Sequence, residues 1–205
     1  MQHNDRAHSP SGSAPELTAE EKRGLLRVAR QALQAFLETG ALPTCHTDAP
    51  ALLQHRATFV TLRRRTSEEL RGCRGESLAQ RPLIESVAHN AIASATNDPR
   101  FPPVTIDEVP DLHIEINALT PMTPIKPEDV VVGRHGLMIV QGNRSGLLLP
   151  DVPVQHGWNR ATFLRGLCRK AGLPHNAWTA EDAQLFGFEA DAWSEKEERG
   201  SKQER

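Results

Sequence analysis

The 205-residue sequence contains no run of about 18 apolar residues, the length that a membrane-spanning helix requires. Its polar N-terminal stretch, MQHNDRAHSPSGSAPE, lacks the apolar core of a secretory signal. A protein neither secreted nor inserted in a membrane is expected. Cysteine is scarce as well: Cys45, Cys73 and Cys168 are far apart, odd in number and in no C-x-x-C pair. Neither a disulfide framework nor a zinc ribbon is indicated, and reduced thiols in the cytoplasm are the expectation. There is no excess charge of either sign. A formal net charge of −2, with 24% charged residues, leaves no basic surplus to hold nucleic acid or an anionic membrane. The sequence also lacks G-x-G-x-x-G after a strand, a Walker loop, G-x-S-x-G, C-x-x-x-C-x-x-C, H-x-x-H and H-E-x-x-H. Assignments to nucleotide, hydrolase or radical chemistry in this chain therefore have no support, and neither a cofactor nor a metal is indicated.

What is present is a chain of ordinary globular composition, 38% hydrophobic, long enough to bury a core without staples. Residues 1–16 and 196–205 are too polar to offset chain entropy and are expected to be flexible tails around a folded unit of residues 17–195. Thr18 and Glu21 form a capping-box pair ahead of Leu25, Ala29, Ala32, Leu33 and Phe36, and Gly40 closes that helix. ATFVTLRRR and ELRGCRG read as a hairpin, with the arginine run as its solvated end. A second helix starts near Pro82 and runs to about Thr96. LHIEINALT alternates as a strand with one apolar and one polar face. GLMIVQ and GLLLP flank the turn GNRS, Asn159 caps a third helix that Gly172 ends, and AQLFGFEADAW reads as one closing strand. Hairpins without regular βαβ repeats predict an α+β fold, with a mixed, mainly antiparallel sheet packed with about three helices.

The chemistry centres on ELRGCRG. In an extended strand, Arg71 and Cys73 share a face, which would bring a permanent cation near the thiol and favour a reactive thiolate. Gly72 and Gly75 would let a ligand or another backbone approach closely. The plainer alternative is a cysteine buried as a small hydrophobe beside bulge glycines. Glu115, on the polar strand face with His113, and His135, bracketed by glycines at a strand mouth, are the candidate proton-transfer partners. Each is also explained by solvation alone. Arg100 sits on the stiff loop DPRFPP, where it would clamp an anionic group or tie down its own loop. His156 would contact a ligand or steady the turn into the third helix. Cys168 falls on the apolar face of that helix and reads as core.

In order along the chain, ELRGCRG, RPLIESVAHNAIASATNDPRFPPVTIDEVPD, IEINALTP, GRHGLMIVQGNRSGLLLPDV and HGWNRATFLRGLCRKAGLP resemble the AMMECR domain family, known in prokaryotes as AmmeMemoRadiSam system protein A. The resemblance implies a larger and a smaller lobe, and a Memo-type protein and a radical-SAM protein as partners. It implies no defined reaction. Two functions follow as expectations: a small-molecule-handling enzyme component that uses Cys73 beside Arg71, or a non-catalytic docking module for those partners. The family's hexapeptide L-R-G-C-I-G falls on Leu70 to Gly75, with Arg74 in place of its isoleucine. On the face shared with Leu70, that arginine requires either a partly wet surface or a stem that snorkels outward. Gln155 stands before His156 where relatives often carry glutamate, so no carboxylate role transfers to that position.

Overall fold

Thr18 starts the first helix as its sequence pattern demands. Its Oγ1 accepts the Glu21 N–H at 3.2 Å, and the Glu21 carboxylate accepts the Thr18 N–H at 2.8 Å. The helix, α1 (Ala19–Thr39), ends at Gly40, whose φ of 72° is a left-handed conformation that glycine adopts without penalty. The computed structural model describes residues 16–196, so the two expected tails lie almost wholly outside the described residues. After α1 come α2 (Pro50–Leu53), β1 (Thr58–Arg64), β2 (Leu70–Gly75), α3 (Leu83–Thr96) and β3 (Leu112–Leu119). β4 (Thr123–Pro124), β5 (Gly136–Gln141) and β6 (Arg144–Leu148) follow, then α4 (Asp151–Gln155), α5 (Arg160–Lys170), β7 (Gln184–Phe188) and β8 (Ala190–Ser194). No helix among the described residues is long and apolar enough to cross a membrane.

The strands form two antiparallel sheets, in the orders β2-β1-β3-β8 and β4-β7-β5-β6. This is the α+β architecture expected from the hairpin-rich pattern. α1 and α3 cover one face of the first sheet. There Leu25, Leu33, Leu83 and Val87 bury Val60, Leu62, Ile114 and Ile116, which gives each large side chain about 2 kcal/mol of apolar transfer. α5 covers the second sheet, where Phe163, Leu164 and Leu167 meet Leu137 and Ile139, with Cys168 fully buried among them. A smaller cluster containing Ala57, Leu119 and Phe188, with Phe59 and Leu147 against it, joins the two sheets.

One strand expectation needs correction. AQLFGFEADAW is two strands: β7 belongs to the second sheet and β8 to the first, with Glu189 between them. Thr120 pins that crossing point, its N–H donating to the Glu189 carbonyl at 2.8 Å and its Oγ1 accepting the Glu189 N–H at 2.8 Å. Alternation along a segment marks a strand's faces but carries no information about which sheet it joins. The arginine run is corrected too. Arg63, Arg64 and Arg65 pair with Glu115, Glu108 and Glu195 respectively, so the hairpin end is tied to three parts of the chain.

The contact of α3 with the hairpin is polar. Ser86, Asn90 and Ser94 recur every four residues, so they form one stripe along the helix. Ser86 Oγ lies 2.8 Å from Thr58 Oγ1, and Asn90 Nδ2 donates to the Thr58 carbonyl at 3.2 Å. Ser94 Oγ accepts the Arg74 N–H at 2.8 Å and lies 2.7 Å from the carbonyl oxygens of Val60 and Asn90, to one of which it donates. Its hydroxyl thus stands in the ladder between β1 and β2, at the Val60–Arg74 pair. Such an approach leaves no room for a side chain at Gly72: a Cβ there would lie 2.0 Å from the Ser94 carbonyl oxygen. Urea unfolding should therefore show Gly72→Ala less stable by about 2 kcal/mol or more. Gly24→Ala in α1, where a Cβ meets only Arg27 Nη2 at 3.8 Å, should gain about 0.5–1 kcal/mol. Equal effects of the two substitutions would contradict this packing.

Candidate functional site

The outer face of the first sheet, away from α1 and α3, carries the polar side chains. Cys73 pairs with Thr61, Thr61 with Glu115 and Glu115 with Ser194, so one row of side chains crosses four strands. Cys73 is half-buried, and Thr61 Oγ1 donates to its Sγ at 3.4 Å. Glu115 accepts from Arg63 Nε at 2.9 Å and lies 3.3 Å from His113 Nε2. Strands are spaced about 4.8 Å apart, so Glu115 stands roughly 10 Å from Cys73, with the Thr61 hydroxyl between them. A small molecule spans that distance. His113 does not sit on an open polar face as expected; it is 3% exposed, enclosed by Glu115 and, at 3.7 Å, Glu68.

Arg71 does not lean over the thiol. A β-bulge between Leu62 and Arg63 leaves Arg71 out of register, breaking the alternation on which the expected Arg71–Cys73 pairing rested. Its buried guanidinium points to the segment after α3. There Nε and Nη2 bind the Glu108 carboxylate at 2.9 and 3.0 Å, and Nη1 donates to the Pro102 carbonyl at 2.9 Å. Gly72 and Gly75 likewise accommodate the chain itself. The space of a Cβ is filled by the Ser94 carbonyl at Gly72, and by the Phe59 ring at 2.3 Å at Gly75. Arg74 is exposed, which settles how an arginine replaces the family's isoleucine: the charge stays in water.

The cation tied to Cys73, through a shared carboxylate, is Arg100. Asp98, just beyond α3 and 5% exposed, accepts the Cys73 N–H at 2.8 Å through Oδ2. The same oxygen takes Arg100 Nη2 at 2.6 Å, and Oδ1 takes Arg100 Nε at 2.9 Å. The Arg100 guanidinium, its side chain 55% exposed, thus shares the Asp98 carboxylate with the Cys73 N–H and lies 5.4 Å from the Phe101 ring. Among the described residues β2 is an edge strand whose outward N–H groups have no strand partner, and Asp98 supplies an acceptor for one of them. The Arg100 side-chain hydrogen bonds, aided by the Cys73 and Arg100 N–H groups, hold the Asp98 carboxyl well below the usual carboxylate range. Arg71 does the same for Glu108, bringing it from an ordinary 4.5 down to about 2.

The remaining candidates lie in the second sheet's half of the molecule. His135 precedes β5, and its Nδ1 accepts the Val131 N–H at 3.1 Å. His156 stacks on Trp158, with ring centroids 5.0 Å apart. Among the described residues no group of three or more His, Cys, Asp and Glu side chains is placed to hold a metal ion. Two contributors escaped the sequence reading. Asp98 had a readable signal, a short acceptor between a helix end and Pro99 in the same loop as Arg100. Thr61 had none, since only the hairpin register sets it beside Cys73.

The AMMECR1 family model matches residues 26–193. Protein MK0488 of Methanopyrus kandleri is 40% identical over 198 residues, which cover 93% of this chain and 96% of that protein. Protein MJ0810 of Methanocaldococcus jannaschii is 40% identical over 191 residues, covering 90% of this chain and 94% of its own. The crystal structure of the uncharacterized protein PH0010 from Pyrococcus horikoshii aligns with a TM-score of 0.81 at 40% identity, over 87% of this chain and 93% of that one.

The depressed carboxyls fix the sign of a pH effect. A group whose pKa falls on folding stabilises fully above its unfolded value and loses that contribution as pH drops toward its folded value. For Glu108 the loss runs from about 4.5 down to about 2, and for Asp98 it starts near 3.8 and ends lower. Asp98→Asn should therefore lower unfolding free energy by about 1–3 kcal/mol at neutral pH. The deficit relative to the unaltered protein should shrink as the pH is brought toward 2. A deficit that stays constant over that range would contradict the charged Asp98–Arg100 pair.

Proposed function

The chain belongs to the AMMECR1 family, and on that premise we propose that it is the small-molecule-handling component of an enzyme system, with Cys73 as its nucleophile. The observation that carries this reading is the setting of Cys73: its sulfur partly exposed and given a hydrogen bond by Thr61, its N–H sharing the Asp98 carboxylate with Arg100. A hydroxyl donor and a guanidinium are the groups that stabilise sulfur as a thiolate. In this reading Arg100 takes the role first expected of Arg71, while Arg71 anchors the strand from behind. Glu115, in the same cross-strand row, faces the far end of a ligand laid across Thr61. The proposed partners are those that the family resemblance implies, a Memo-type protein and a radical-SAM protein, and the proposed location is the cytoplasm.

A second reading, a non-catalytic docking module for the same partners, is favoured by one observation. Glu115 is already engaged by Arg63 at 2.9 Å, so a ligand would have to compete for its carboxylate. Two measurements separate the readings. Alkylation of Cys73 by iodoacetamide at neutral pH should slow several-fold in Arg100→Gln. In Arg71→Lys the rate per folded molecule should hold, although stability falls. In the system reconstituted with both partners, Cys73→Ser should abolish turnover while retaining partner binding. Full turnover by Cys73→Ser would leave only the docking role.

A further inference from the structure

The cations of α5 remain unused by the site above. Between Asn159 and Gly172 the chain has four basic residues, Arg160, Arg165, Arg169 and Lys170, and no carboxylate. A cavity of about 600 Å³ opens beside this helix, within the range that holds small organic ligands. Its lining combines apolar groups, Trp158, Gly166 and Leu173, with cationic or basic ones, Arg165, Arg169 and His175. No carboxylate lines it among the described residues. Among the described residues Arg165 reaches only the Thr162 hydroxyl, at 3.4 Å, and Arg169 only the face of Trp158, at 5.9 Å. Two exposed guanidinium groups that line one cavity and have no acid partner among the described residues are free to take a bound anion.

The framework of the cavity is closely packed. Trp158 lies directly on Gly166, where a Cβ would come within 2.6 Å of the indole, so the helix admits the ring only because that position is glycine. His156 stacks on the same indole at 5.0 Å, with the ring planes 22° apart. Arg144 of β6 brings a further cation to the rim by donating to the Gly172 carbonyl at 2.6 Å. From this arrangement we infer that the α5 cavity is a binding site for a phosphorylated small molecule. Arg165 and Arg169 clamp the phosphate, and the organic part rests against Trp158 and Leu173. A guanidinium fork matches phosphate oxygens two at a time, and the cavity is much larger than inorganic phosphate alone requires. The site is separate from the Cys73 face and does not rest on the function proposed for it.

Isothermal calorimetry with ADP, glucose 6-phosphate and inorganic pyrophosphate tests the inference on the full chain. At least one of the two organic phosphates should bind with a Kd of about a millimolar or tighter, and more tightly than pyrophosphate. The exposed pair Arg165→Ala and Arg169→Ala, made together, should weaken that binding about tenfold or more without lowering Tm. Arg160→Ala, whose guanidinium is given to the Glu128 carbonyl at 2.6 Å, should leave it unchanged. So should Cys73→Ser, which separates this site from the proposed nucleophile. Failure of both organic phosphates to bind, tighter binding of pyrophosphate, or full binding by the double variant would each overturn the inference. Binding of single-stranded RNA in place of the small phosphates would do the same.

Discussion

A single buried carboxylate at the end of α3 joins the helix layer to the candidate site. Asp98 leaves the helix, turns back along the outer edge of β2 and accepts the Cys73 N–H, while Arg100 holds it in place. That arrangement needs α3 to lie almost in contact with the strand, which Gly72 permits and the Ser94 hydroxyl secures by standing in the β1–β2 ladder. Apolar packing beneath the sheet supplies the bulk of the stabilisation, but it is non-directional and could not by itself fix the position of one thiol. The polar stripe Ser86, Asn90 and Ser94, together with Asp98, supplies the direction.

Periodicity and caps made the long elements legible. The Thr18–Glu21 box, the Gly40 stop and the Asn159 cap each appear where the side-chain chemistry demands, because capping is decided within a few residues of chain. The β1–β2 hairpin was equally readable. The place of the bulge was not: the glycines of ELRGCRG signal one, but only pairing with β1 decides that Arg71 falls out of register, and with it went the geometry of Arg71 and Cys73. The division of AQLFGFEADAW between two sheets and the pairing of Arg63, Arg64 and Arg65 with distant carboxylates were hidden for the same reason. Both depend on contacts made across the whole chain.

Arg71 and Arg100 show how similar residues divide labour. Arg71 is buried and bound at once to Glu108 and to the Pro102 carbonyl, so its charge is neutralised and its role is to hold the post-helical segment against the strand. Arg100 is likewise paired, with Asp98, but its side chain is more than half exposed, so an incoming anion can still reach it. The second sheet repeats the contrast on a different face. There, Arg165 and Arg169 have no carboxylate partner among the described residues, whereas Arg134 is paired with Glu189 at 2.7 Å. It is their place together on one cavity, rather than the lack of a partner alone, that sets Arg165 and Arg169 apart from a solvated arginine such as Arg74.

Amide hydrogen exchange at Cys73 examines the central geometry most directly. This N–H points outward from an edge strand, where solvent would ordinarily exchange it quickly, yet it is bonded to a buried carboxylate. It should be protected to a degree comparable with the ladder amides of β1, and Asp98→Ala should remove that protection while leaving the β1 amides slow. Rapid exchange of the Cys73 amide in the unaltered protein would show that Asp98 does not hold the strand, and the proposed setting of the thiol would fall with it.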